Sequence, residues 1–243
     1  MARAVGDLLA EFDAQLEEDV QLPPSWNVAP TDDVPIVLER LIDEEAVRQL
    51  HVARWGLVPS WAKDPGIGAK MINARSESVL EKPAFRKAVK SRRCAVPADG
   101  YYEWKQGTGK VKQPYYVHPG SERGLVFAGL YEWWKDPSKA DDDPARWMLS
   151  TSILTADTPP PGAESTVFGK LTELHDRVPL PMDRATMASW LDPQIDDAAF
   201  LVDLVRAHVK DVAADWHVDS VGREVGNVRN NSPELIRPVE ALF

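Results

Sequence analysis

Apolar residues recur every three or four positions near the start of the chain, at Val5, Leu8, Leu9, Phe12 and Leu16, with Asp7, Glu11 and Asp13 between them. This spacing predicts an amphipathic helix over residues 5–16. Pro23-Pro24 ends that region, because proline offers no N–H to a helix and clashes with the turn before it. Beyond it the rhythm changes to short β-prone runs at Val34–Leu38, Val52–Leu57, Arg93–Val96, Tyr101–Trp104, Pro114–Val117, Leu125–Leu130 and Trp147–Leu154, separated by Gly, Pro and Asp. Helical spacing returns over Ala185–Trp190 and Ala198–Val209. A run of strands followed by short helices predicts an α+β fold with a β-rich core. Asp136–Pro144 and Thr158–Glu164 read as surface loops, and no segment repeats, so residues 1–243 are expected to form one domain.

Composition narrows the function classes. With 28 Lys and Arg against 38 Asp and Glu the formal charge is −10, which argues against a protein that coats nucleic acid or anionic membrane with its whole surface. Cys94 is the one cysteine among 243 residues, so an intramolecular disulfide and a multi-thiolate zinc site are both excluded. No apolar run approaches the roughly 20 residues of a membrane span, and the opening Met1–Asp7 has no basic segment leading into an apolar one. A cytoplasmic, membrane-free protein is the expectation.

Against that acidic background the positive charge is concentrated. Residues 70–93 hold Lys70, Arg75, Lys82, Arg86, Lys87, Lys90, Arg92 and Arg93 against Glu77 and Glu81, a local +6. A basic strip interleaved with Trp55, Trp61 and Trp104 has the two things a single-strand groove needs: cations for phosphates and flat faces for unpaired bases. The alternative is a solvated face with core tryptophans. Glu103, in Tyr101-Tyr102-Glu103-Trp104, either points at water by strand alternation or faces a cavity, where desolvation makes it a general acid or base. His175, beside Asp176 and Arg177, is either a proton shuttle or a hydrogen-bonded structural residue. Cys94 reads as a buried structural thiol. No Walker loop, dinucleotide fingerprint or paired-His helix occurs, and five scattered His with one Cys argue against a catalytic zinc.

Five motifs then appear in order: Trp55-Gly56-Leu57-Val58-Pro59-Ser60-Trp61, Asn73-Ala74-Arg75-Ser76-Glu77, Arg93-Cys94-Ala95-Val96-Pro97-Ala98-Asp99-Gly100-Tyr101-Tyr102-Glu103-Trp104, His175-Asp176-Arg177-Val178-Pro179 and Val225-Gly226-Asn227-Val228-Arg229-Asn230. Together with Trp26-Asn27-Val28-Ala29-Pro30 they span nearly the whole chain and resemble the SOS-response-associated peptidase (SRAP) family. The resemblance implies a curved, barrel-like sheet flanked by short helices. It also implies recognition of abasic sites in single-stranded DNA near replication forks, by a monomer with neither metal nor organic cofactor. In that family the initiator Met is removed to expose a cysteine, whose amine and thiol condense with the ring-opened sugar into a thiazolidine cross-link. By resemblance Asn73 holds that cysteine or the sugar, Glu103 is the general acid/base and His175 assists proton transfer. Arg75 and Arg177 bind phosphates, and Trp61 and Trp104 line the site and contact bases.

One departure stands out: the family opens Met-Cys-Gly-Arg, whereas this chain opens Met1-Ala2-Arg3-Ala4. The distance to Asn27-Val28-Ala29-Pro30 is also short by about 5 to 10 residues, one strand. The expectation is that a first strand with its cysteine belongs upstream, since Asn73, Glu103 and His175 are all retained. The alternatives are a non-catalytic single-strand binding module that has lost the nucleophile, or a hydrolase using Glu103 and His175 on another substrate.

Overall fold

The computed structural model describes residues 3–16, 22–109, 111–121, 124–160 and 166–242. In chain order its strands are β1 (Gln15–Leu16), β2 (Asp33–Ile42), β3 (Glu45–Trp55), β4 (Asn73–Arg75), β5 (Arg93–Ala98), β6 (Tyr101–Gln106), β7 (Lys112–Pro119), β8 (Leu125–Lys135), β9 (Trp147–Asp157), β10 (Arg177–Pro179) and β11 (Trp216–Ser220). The α-helices are α1 (Val5–Phe12), α2 (Ala88–Ser91), α3 (Thr166–Leu174), α4 (Arg184–Leu191), α5 (Ala198–Ala207) and α6 (Val209–Val212).

The longest continuous pairing is the β2–β3 hairpin, which runs without a break from Asp33↔Arg54 to Ile42↔Glu45. Asp43 and Glu44 turn it, both in the left-handed region (φ 51° and 70°), the backbone whose twist matches a two-residue hairpin. β2 then joins β5, β5 joins β8 and β8 joins β9, all antiparallel. β9 returns to β3 in parallel at Arg54↔Ser150 and Trp55↔Thr151, so five strands close into a mixed barrel that leaves few bare edges. The short strands β4 and β10 flank the C-terminal half of β9, and β1 lies parallel on β3. β6, β7 and β11 form a second, antiparallel sheet. Ile36, Leu38, Leu50, Cys94, Ala128, Leu130 and Leu154 are buried in the main apolar cluster, against which α1, α4 and α5 lay Leu8, Trp190 and Leu201.

Two local features position the site. Gly56 ends β3 at φ 126°, and a Cβ there would stand 2.5 Å from the Gly68 carbonyl oxygen; only glycine lets the chain leave the barrel so close to residues 65–70. The seam between β2 and β5 is paired only at Val37↔Ala95 and Leu38↔Cys94. Continuing that register would set Pro35 opposite Pro97, and neither has an N–H to give, so the two strands part there.

Six of the seven β-prone runs lie wholly on strands, the seventh, Val52–Leu57, runs two residues past the end of β3, and the two later helical segments lie on α4 and on α5 with α6. The first helix is shorter than its periodicity suggests: it stops at Phe12, where Asp13 turns left-handed (φ 49°) and Ala14 N–H donates to Leu9 O, and Gln15–Leu16 then pairs with Gln49–Leu50. β4, β10, β11 and α3 were not anticipated. Residues 136–143 form turns. Of the loop expected over 158–164, residues 161–164 lie outside the described residues, as do Met1 and Ala2. Among the described residues no helix is long and apolar enough to cross a membrane, and no group of three or more His, Cys, Asp or Glu is arranged to hold a metal ion.

Candidate active site

The parted β2–β5 seam opens into a cleft of about 610 Å3, walled on that side by Val34, Pro35, Val96, Pro97 and Ala98. β9 supplies the cleft with residues from both of its edges: β4 sets Asn73 opposite Ile153, and β10 sets Arg177 opposite Asp157. β6 brings Tyr102, Glu103 and Trp104, and His175 lies between the end of α3 and the start of β10. α3 packs on β6, and Lys105 Nζ donates to Glu173 Oε2 at 2.6 Å, tying the strand that carries Glu103 to the helix that precedes His175. Asn73, Glu103, His175, Trp104 and Arg177 therefore line one cleft although they come from four segments.

Glu103 is half-buried and faces the cleft rather than open water. Burial raises its carboxyl above the ordinary carboxylate range, and Asp176 adds to the rise; a positive His175 and the Trp104 N–H act the other way. His175 itself is about half exposed. Its Nδ1 accepts the Arg177 backbone N–H at 2.9 Å and also lies 3.1 Å from Asp176 Oδ1. The two contacts require opposite states of Nδ1: accepting the amide leaves the neutral ring with its proton on Nε2, whereas pairing with Asp176 needs a proton on Nδ1. The imidazole is thus held where gaining a proton exchanges one partner for the other, which suits a proton carrier.

Arg177 is placed differently from a bare phosphate ligand. One arm of its guanidinium donates to Asp157, and the other reaches Glu77 Oε2 at 2.8 Å and Thr155 O at 2.8 Å. It cross-braces β9, β10 and the segment after β4, with two carboxylates already on its arms. Arg75 is exposed and lies outside the cleft lining, and its guanidinium makes no hydrogen bond or ion pair with another described residue. Trp61 is also outside the lining and 58% exposed, whereas Trp104 lines the cleft at 38% exposure. The basic strip is smaller than its linear count. Arg93 is buried and donates to the carbonyls of Trp190, Val89, Lys90, Asp192 and Ile195, and Arg92 pairs with Glu132. Lys70, Arg75, Lys82, Arg86, Lys87 and Lys90 remain exposed. Cys94 is fully buried with its Sγ 3.5 Å from Thr151 Oγ1, and burial pushes its thiol up to about 12.

Residue-by-residue reading missed one wall of the cleft. Asn27 is buried, and its Nδ2 donates to the carbonyls of Val225 (3.0 Å), Asn227 (3.2 Å) and Asn230 (3.1 Å). Tyr102 Oη donates to Trp26 O at 2.7 Å, fastening the same stretch to β6. Residues 26–30 and 225–228 were visible as motifs, but nothing in their composition tells that they meet.

Residues 1–228 match the family model described as SOS response associated peptidase (SRAP). The chain belongs to this family. It is 37% identical over 238 residues to the abasic site processing protein YoqW of Bacillus subtilis, covering 94% of this chain and 96% of that one. It is 31% identical over 254 residues to the abasic site processing protein HMCES of Rattus norvegicus, covering 90% of this chain and 66% of that one. A crystal structure of a protein from Bacteroides thetaiotaomicron superposes with a TM-score of 0.76 over 99% of this chain and 98% of that chain at 23% identity, which shows that the two share a fold.

Proposed function

We propose that this SRAP protein processes abasic sites in single-stranded DNA, drawing the baseless sugar into the cleft while the flanking phosphates stay on the exposed cations outside. The observation that carries the reading is that a carboxyl raised by burial, an imidazole held between two proton-linked partners and the Asn73 amide line one cavity. Opening the sugar hemiacetal requires a proton taken from the C1 hydroxyl as the C1–O4 bond breaks and a proton given to O4, leaving an aldehyde and an alcohol. Glu103 and His175 are the pair to make that exchange, and Asn73 offers an amide to hold the sugar.

Covalent capture is a separate requirement. An amine attacks the aldehyde carbon and water leaves, giving an imine; a thiol on the same residue then adds across it to close a thiazolidine. Cys94 has neither a free α-amine nor access to the cleft, so it does not supply this pair of groups. A thiazolidine cross-link therefore requires an amine and a thiol on one residue brought to the cleft. The described residues supply recognition and ring opening.

The test uses a fluorescent single strand with one abasic site and its intact counterpart, together with a hydroxylamine probe that reports the open aldehyde. The chain should prefer the abasic strand and accelerate probe capture, and Glu103→Gln should lower that acceleration by roughly 10²-fold. Equal affinity for the two strands would refute the reading.

A further inference from the structure

The cleft lip at residues 225–231 is built in a way that folding does not explain. Val228 lines the cleft yet is 60% exposed, more than any other large apolar side chain among the described residues. The segment that carries it is firmly held. Besides the three bonds from Asn27, Asn230 Nδ2 donates to Glu224 O at 2.8 Å, Asn230 N–H to Asn227 O at 2.9 Å and Arg229 N–H to Asn227 Oδ1 at 3.2 Å, while Asn231 Oδ1 accepts the Trp26 N–H at 2.7 Å. Val225 anchors the segment from below, buried in a small cluster with Tyr116, Val221 and Leu235. Four asparagines thus fix the backbone while the aliphatic tip between them stands in water. A lone exposed valine is ordinary on a protein surface, but this one stands at the mouth of the cleft on a backbone that side-chain hydrogen bonds hold in place. Arg229 follows it, exposed and without a hydrogen bond or ion pair from its guanidinium to another described residue.

An abasic nucleotide has a particular defect that this lip fits. The two bases on either side of the lesion have each lost a stacking neighbour, and pulling the sugar into a cleft separates them further and wets their faces. A rigid aliphatic wedge that enters the gap covers a bare base face, as apolar side chains do when they enter a base step. We propose that Val228 is a gap-filling wedge that takes the place of the missing base, with Arg229 meeting the neighbouring phosphate. The site thereby selects for the absence of a base in addition to chemistry at the sugar. This inference rests on the abasic-DNA reading above and names how that substrate is told from an intact strand.

The experiment compares affinities, by fluorescence anisotropy, for a single strand containing one tetrahydrofuran abasic analogue and for the same strand with a base in that place. The analogue cannot open, so sugar chemistry does not contribute. Val228→Ala should lower the ratio of abasic to intact affinity about fivefold, of the order expected when two methyl groups lose burial against one base face. Val228→Leu should keep the ratio. Arg229→Gln should weaken both strands alike and make the salt slope shallower by about 0.7. A ratio unchanged in Val228→Ala would overturn the wedge while leaving the abasic reading intact. A native chain with no preference for the abasic analogue would overturn both. Val228 is exposed, so matching melting temperatures for the two Val228 variants verify that the comparison reads contact rather than folding.

Discussion

Asn27 offers a direct test of how the cleft is assembled. Its side-chain amide has two hydrogens and faces three carbonyl oxygens, those of Val225, Asn227 and Asn230, at 3.0–3.2 Å across sequence separations of 198 to 203 positions. Replacement by Ala removes two full donors and strands the carbonyls of Val225 and Asn230, the first of them in a buried bond, while Asn227 O keeps the Asn230 N–H. At about 1 kcal/mol net per bond, more where an acceptor stays buried and unpaired, the loss is about 2–3 kcal/mol. For a chain of this length that lowers the melting temperature by roughly 5–10 °C. Asn27→Asp is the sharper perturbation because it keeps the shape and inverts the chemistry, setting a carboxylate against three carbonyls. Its carboxyl is pushed upward in the folded state, so the folded protein is least penalised below the ordinary Asp range and loses stability as pH rises through the raised value. The expected order of melting temperatures at pH 7 is wild type, then Asn27→Ala, then Asn27→Asp, with the Asp variant recovering relative to Ala in acid. Hydrogen exchange over residues 225–231 should quicken in both variants. An Asp variant as stable as wild type at pH 7, or a lip that exchanges no faster, would refute the hydrogen-bond assignment and the claim that Asn27 builds this wall.

Three further outcomes follow from the same geometry. Because burial raises the Glu103 carboxyl, its charged form costs stability above the ordinary carboxylate range; Glu103→Gln should melt higher than wild type at pH 7, with the gap closing as pH falls toward about 4, and a lower melting temperature for Gln at neutral pH would show that the carboxylate is not desolvated. Cys94, fully buried with its thiol pushed up to about 12, should resist a thiol reagent at pH 8 and react at once in denaturant; rapid labelling of the folded chain would contradict its placement in β5. Arg75→Ala should make the dependence of log affinity for single-stranded DNA on log salt shallower by about 0.7, whereas Arg93→Ala, which strips donors from five carbonyls, should instead destabilise the fold by about 3 kcal/mol, as read by denaturant unfolding.

The strands that the hydrophobic pattern revealed are those long enough to carry a pattern. β2 buries Val34, Ile36, Val37 and Leu38 and β8 buries Leu125, Phe127, Ala128, Leu130, Tyr131 and Trp134, while β3, β5 and β9 bury two or three apolar residues each; these are the five that close the barrel. β4 and β10 were invisible because three residues, Asn73-Ala74-Arg75 or Arg177-Val178-Pro179, contain one apolar side chain flanked by polar groups or proline; they are strands only because β9 offers them an edge. β11 does alternate, with Trp216 and Val218 inward, but those are the only two apolar side chains in its five residues, too few to carry a pattern. The helix over residues 5–16 was overextended because periodicity does not register Asp13 turning left-handed. The proline pair that opens the seam was equally hidden: Pro35 and Pro97 read as separate interruptions until the register sets them against each other.

Charge along the chain proved a poorer guide to the site than the motifs. The +6 window counts Arg93, which is a buried donor to backbone, and Arg92, which is neutralised by Glu132. Arg177 enters the cleft wall already matched by Glu77 and Asp157, and Glu103, Asp99 and Asp176 lie in or beside the same wall. A cavity so provided with carboxylates repels a phosphate. The unpaired cations Arg75 and Arg229 lie outside the cleft or on its lip. This division has a chemical consequence under the proposed function: an abasic nucleotide can place its sugar, the one part of the strand that is neither charged nor covered by a base, in the interior while its phosphates stay at the rim. Val228 and Trp104 line the same cleft as Glu103, so a base drawn in beside an intact sugar meets apolar faces as well as carboxylates. Selectivity then comes from what the interior excludes by charge, and the burial that, with Asp176, raises the Glu103 carboxyl places the proton-transfer group in that same interior.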